Sequence, residues 1–129
     1  MPRPKSEKVR LSVFRGKEAK LNHAILCFLK QKSPQTAWEI FVQFKKQKEM
    51  ADLTYTTILR RMVALQSQDY IMKVGEKDTM PGTETAFYQL SPRAELAITL
   101  SEINLDKFVN TAGYDSILGA LEAFENWMQ

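Results

Sequence analysis

Cysteine and histidine are nearly missing, with one of each, Cys27 and His23, in 129 residues. A single cysteine excludes an intramolecular disulfide and a multi-thiolate zinc site, and a single histidine leaves no material for a histidine-rich metal centre. The two lie four residues apart on one expected helix face, but no completing ligands accompany them, so neither a metal site nor a redox sensor is expected. Long apolar runs are also lacking. The longest, Ala24 to Leu29, has six residues, far below the roughly 18 to 20 that cross a bilayer, so no membrane span is expected. The opening residues from Met1 to Arg10 lead into no apolar segment of signal-peptide length, which makes the cytoplasm the expected location. No Ser-His-Asp order, glycine-rich phosphate loop or paired acid can be assembled, so neither an enzyme nor a cofactor is expected.

What is present is an ordinary globular balance, 44% hydrophobic and 26% charged, at a length that suits one domain with an appended element. The net charge of +3 is unevenly spread. Residues 1–20 carry seven basic and two acidic side chains, residues 21–100 ten and eight, and residues 101–129 one and five. A basic leader is drawn to phosphate and an acidic tail is repelled by it, so polyanion contact belongs on the first two-thirds of the chain.

In the leader, Val9, Leu11 and Val13 alternate with polar residues as in a half-exposed strand that ends at Gly16. From Lys17 to Lys32, the spacing of Leu21, Ala24, Ile25, Phe28 and Leu29 predicts an amphipathic helix. Ser33 and Pro34 look like a helix start, with Ala37, Ile40, Phe41 and Phe44 facing inward. Trp38, Phe41 and Phe44 fit a core more readily than a ligand pocket. Thr54 is positioned to cap a third helix over about Tyr55 to Gln68, buried through Ile58, Met62 and Leu65. A β-hairpin follows, with strands over Ile71–Val74 and Thr85–Leu90 and a long tip between them. Ser91 and Pro92 repeat the start signal for a helix from Arg93 to about Val109 with Ala94, Ala97 and Ile98 on one face, and a last helix runs from about Asp115 to Met128.

Three helices, a hairpin and a further helix, carried by Ser33-Pro34-Gln35-Thr36-Ala37-Trp38-Glu39-Ile40, then Leu53-Thr54-Tyr55-Thr56-Thr57-Ile58-Leu59-Arg60-Arg61-Met62 with Leu65, then Tyr70-Ile71-Met72-Lys73, and Phe87-Tyr88-Gln89-Leu90-Ser91-Pro92, resemble the winged helix-turn-helix regulators of the PadR and MarR type found in bacteria and archaea. The resemblance covers about residues 20 to 100 and differs from the usual pattern in the long lead from Lys45 to Asp52. It implies a mainly helical fold with a small β-hairpin wing, a recognition helix in the third position and a helical extension at the C-terminus.

The residues support this independently. With Ile58, Met62 and Leu65 buried, helical steps put Thr56, Arg60 and Val63 on the far side of the third helix, with Tyr55, Thr57 and Arg61 on its flanks. Arginine can hold guanine O6 and N7 with two hydrogen bonds, threonine can meet a phosphate or a thymine methyl, and a helix N-terminus attracts phosphate. The expected DNA-binding residues are therefore Thr54, Tyr55, Thr56, Thr57, Arg60 and Arg61, joined by Lys73 and Lys77 of the wing, whose acidic neighbours Glu76, Asp78 and Glu84 leave a plain solvated loop as the other reading.

Ile117, Leu118, Leu121, Phe124 and Met128 form an apolar stripe on the last helix. It fits either the protein's own core or the matching helix of a second subunit. The expected organisation is a basic arm over 1–16, a winged-helix DNA-binding domain over 17–100 and a helical dimerisation segment over 101–129. The expected function is that of a homodimeric transcription regulator reading double-stranded DNA, its ligand effector, if it has one, unidentified. The competing reading is a winged-helix module that binds proteins without reading DNA.

Overall fold

Leu21, Ile25 and Leu29, one helical face of the segment after the leader, are fully or almost fully buried and supply the first wall of the core. They lie on α1, Ala19–Gln31. The computed structural model describes residues 11–80 and 83–129, and for residues 77–80 and 83–85 the backbone alone. The chain divides into two units, Arg10–Ser101 and a second whose described part is Glu102–Gln129.

In the first unit, α1 is followed by α2, Ala37–Lys45, and α3, Tyr55–Ser67. Their inward faces, Ile40 and Phe44 from α2 and Ile58, Met62 and Leu65 from α3, close the core with α1. A pair of antiparallel strands, β1 over Ile71–Met80 and β2 over Thr83–Leu90, leads into α4, Pro92–Glu102, which adds Ala94, Ala97 and Ile98. The long lead between α2 and α3 is a chain of tight turns, in which the amides of Gln47, Met50 and Leu53 each bond the carbonyl three residues earlier. Partly buried Met50 and Leu53 pin it to the core.

Four sequence expectations need correction. Leu11 to Phe14 is not a strand: Ser12–Phe14 is a single 3-10 turn, which lets Val13 enter the core while Asn22 Nδ2 donates to the Val13 carbonyl at 2.8 Å. Val9 lies outside the described residues. Ser33 and Pro34 do not start α2, because the residues after them offer a better cap. Thr36 Oγ1 accepts from the Glu39 amide at 3.1 Å, and the Glu39 carboxylate accepts from the Thr36 amide at 2.9 Å, a reciprocal capping box. Gln35 instead exchanges two backbone hydrogen bonds with Tyr88, at 2.9 and 2.8 Å, and so adds a one-residue third strand to the hairpin.

The hairpin strands also run further than their composition suggests. Pairing continues from Ile71 opposite Leu90 to Met80 opposite Thr83, and register shifts at Lys73/Gly75 and Asp78/Met80 absorb the mismatch. Cross-strand hydrogen bonding outweighs the weak β-preference of glycine, glutamate and aspartate there. Finally, the helix expected from Arg93 to Val109 is two helices. Asn104 turns its side chain back to accept the Lys107 amide at 3.0 Å, which starts α5, Leu105–Thr111, as a separate helix.

The second start signal works where the first does not. Buried Ser91 accepts the Ala94 amide at 3.2 Å while its hydroxyl donates toward the carbonyls of Asp69 and Tyr70, joining the end of α3, the hairpin and the start of α4. Replacing Ser91 with alanine is expected to lower unfolding free energy by about 1 to 2 kcal/mol, measured by urea denaturation, because a helix cap and a buried acceptor pairing are lost together.

In the second unit, α5 is followed by α6, Tyr114–Met128, with Gly113 as its N-cap. Neither helix buries a residue. Leu118, Leu121, Phe124 and Met128 are each more than half exposed, and Ile117 is half-buried. Among the described residues no helix is long and apolar enough to cross a membrane.

Candidate nucleic-acid interface

Burial of Ile58, Met62 and Leu65 fixes the rotation of α3, so its opposite side must face solvent. Thr54, Thr56, Thr57 and Arg60 are exposed there. Thr54 caps the helix by accepting the Thr57 amide at 3.1 Å, and the two hydroxyls meet at 2.9 Å, which orients both and leaves one hydroxyl proton to point outward. No acidic residue occupies the first turn of α3. Its positive end is therefore uncompensated, a favourable setting for a phosphate or another anion. Among the described residues no ion pair engages Arg60, so its guanidinium is available to a partner.

The remaining expected contacts lie elsewhere. Arg61 leaves the flank of α3 for the body of the protein, where it is only 21% exposed and meets Glu18 at 3.7 Å. Glu18 is 43 residues earlier in the chain, so no local spacing announces the pair. Lys73, exposed on β1, is paired with Glu76 three residues on, which neutralises much of what it would offer a phosphate. The Lys77 side chain lies outside the described residues.

Tyr55 is half-buried in an aromatic cluster that sequence periodicity did not single out. Its ring centroid lies 5.5 Å from Trp38 and 5.9 Å from Phe41, and those two are 5.2 Å apart. Lys45 Nζ stands 5.4 Å from the Phe41 centroid. Trp38 is 55% exposed, so this cluster borders the start of α3 as surface. Phe44 does not join it but is buried on the other side of α2, edge-to-face with Phe28. Burial of Ala37, Ile40 and Phe44 fixes the rotation of α2 and leaves Trp38 at the surface.

Beneath the cluster, burial holds the Tyr88 hydroxyl above the usual tyrosine range, and the proximity of Tyr55 pushes in the same direction. The unfolded chain then releases this proton first, so the stabilisation is complete below the unfolded value of about 10 and is lost as pH rises toward the folded value. Denaturant midpoints measured across the alkaline range should fall more steeply for the natural protein than for Tyr88→Phe.

His23 and Cys27 do approach each other, with Nε2 to Sγ at 3.5 Å. Among the described residues no group of three or more histidine, cysteine, aspartate or glutamate side chains converges to hold a metal ion. The chain matches no protein-family model and no curated protein sequence.

Proposed function

We propose that the protein is a winged helix-turn-helix transcription regulator that binds double-stranded DNA as a homodimer, with α3 in the major groove. The observation that carries this reading is the free outer face of α3. Its cap Thr54, its threonines Thr56 and Thr57 and Arg60, which no ion pair engages among the described residues, share a face near the positive end of a helix whose other side is locked by three buried residues. Arg60 is the residue to read a base edge, and the threonines and the helix end hold phosphates. The hairpin next to α3 is the wing, with Lys73 and Lys77 as backbone contacts. The exposed stripe Ile117, Leu118, Leu121, Phe124 and Met128 is the dimer surface, and the acidic character of residues 101–129 keeps that surface off the DNA.

The test is fluorescence polarisation with a duplex selected from a random pool, at two salt concentrations. Counterion release predicts that affinity falls by about two to three powers of ten between roughly 0.05 and 0.2 M salt if several phosphates are contacted. Deleting residues 1–9, which carry Arg3, Lys5 and Lys8 against Glu7 and stop short of the buried Val13, should flatten that slope by about two.

One observation favours the second reading, a protein-binding module. Arg61 and Lys73 are both paired with acids, while Trp38 is exposed beside the start of α3. An aromatic anchor with few free cations suits a protein partner better than a duplex. No binding to any selected duplex at low salt would transfer the assignment to this reading.

A further inference from the structure

The exposed residues of α3 are Thr56, Thr57, Arg60, Val63 and Ser67, and Val63 alone among them is apolar. It is 55% exposed and stands one turn after Arg60, completing with Thr56 and Arg60 a row opposite the buried Ile58, Met62 and Leu65. Neither the helix nor the core accounts for valine there. A β-branched side chain is a weaker helix former than alanine, lysine or glutamine, any of which an outward position accepts, and a side chain left more than half in water gains little from burial. Arg60 supplies the only charge of the row, and α3 contains no acidic residue. What covers this face must therefore bring acceptors for a guanidinium and, one turn on, an apolar group for Val63.

The major groove offers that combination. Every base pair presents hydrogen-bond donors and acceptors there, and thymine alone adds a methyl group. Valine has no side-chain donor or acceptor, so a base edge it covers must be one that gains from apolar contact. Arg60 fixes where that base lies. With about 1.5 Å of rise per residue, Val63 stands roughly 4.5 Å further along the helix axis, on the order of one step of a duplex whose base pairs are about 3.4 Å apart. We propose, on the reading of α3 as the helix that enters the major groove, that Val63 determines specificity by covering the methyl group of a thymine within roughly two base pairs of the guanine held by Arg60. The sequence recognised by one protomer thus contains a G·C pair read through hydrogen bonds and, close beside it, an A·T pair read through its methyl group.

Fluorescence polarisation of the full chain with the duplex selected from a random pool tests it, each thymine being replaced in turn by deoxyuridine. That replacement removes the methyl group and keeps every hydrogen-bonding group of the base. At a thymine within about two base pairs of the guanine that Arg60→Ala ceases to discriminate, it should weaken binding about fourfold, the worth of one buried methyl group. Val63→Ala should bind the thymine and deoxyuridine duplexes equally, whereas Arg60→Ala should keep the preference for thymine while losing that for guanine. Alanine is the stronger helix former at an exposed position, so the Val63 variant should keep its fold, which circular dichroism verifies. Three results would overturn the inference and leave the DNA-binding reading standing: a selected duplex without thymine near that guanine, sequence-specific binding that no deoxyuridine weakens, or a deoxyuridine penalty unchanged in Val63→Ala. Failure of the natural protein to bind any selected duplex at low salt would overturn both.

Discussion

Replacing Leu121 and Phe124 together by glutamate is expected to give a folded monomer whose affinity for its duplex is lower by about 100-fold or more, the loss that follows when two linked half-site contacts become one. Both side chains are more than half exposed in the single chain, so the substitutions remove little that holds the protomer together. In the proposed dimer each would place an unpaired carboxylate in an apolar seam that already carries Glu122 and Glu125 at its margin. The effect on association is therefore large and the effect on folding small, a separation that light scattering and circular dichroism on the same sample would reveal. The dimer reading fails if the unmodified protein scatters as a monomer at tens of micromolar.

Arg60→Ala should weaken binding to the preferred duplex by about 1 to 3 kcal/mol and relax discrimination at one base position, leaving weak binding to unrelated duplexes nearly unchanged. The reason is that a bidentate arginine contact with guanine discriminates among bases, whereas phosphate contacts do not. Melting temperature should barely move, because Arg60 is exposed and among the described residues no ion pair engages it. Arg61→Ala makes the informative contrast. Its guanidinium is turned toward Glu18, so specificity should survive while the fold loses a contact between α3 and the start of α1. Equal specificity loss in the two variants, measured on a panel of single-base duplex variants, would remove the distinction drawn between them.

The neighbouring arginines illustrate what the sequence can and cannot say. Periodicity gives the buried side of α3 correctly, since Ile58, Met62 and Leu65 recur at helical spacing and all three are sealed. It also leaves Arg60 outside. It could not separate Arg61 from Arg60, because what draws Arg61 inward is an acid contributed by another helix's cap. Likewise the two Ser-Pro pairs are identical as local signals and differ in outcome. Ser91 has no better cap downstream, while Ser33 is followed by Thr36 and Glu39 at the spacing of a capping box, a signal present in the sequence that takes precedence over the proline. Asn104 inside an expected helix was a similar legible mark of a new start. The pairing of Gln35 with Tyr88 had no such mark, since backbone hydrogen bonds across more than fifty residues depend on no particular side chain.

That pairing divides the hairpin into parts that open independently. Near its base, the amides of Gln35 and Tyr88 lie between β2 and the segment that runs directly into the Thr36 cap, so exposing them requires separating the hairpin from α2. Among the described residues, the backbone pairing beyond Ala86, which still packs against the core, joins β1 and β2 only. Amide hydrogen exchange should accordingly be slow at Gln35 and Tyr88, in step with the helices, and fast toward Met80 and Thr83, where opening needs no helix to move. The root of the hairpin is thereby held to the start of α2 through backbone bonds alone, whatever side chains the strands carry.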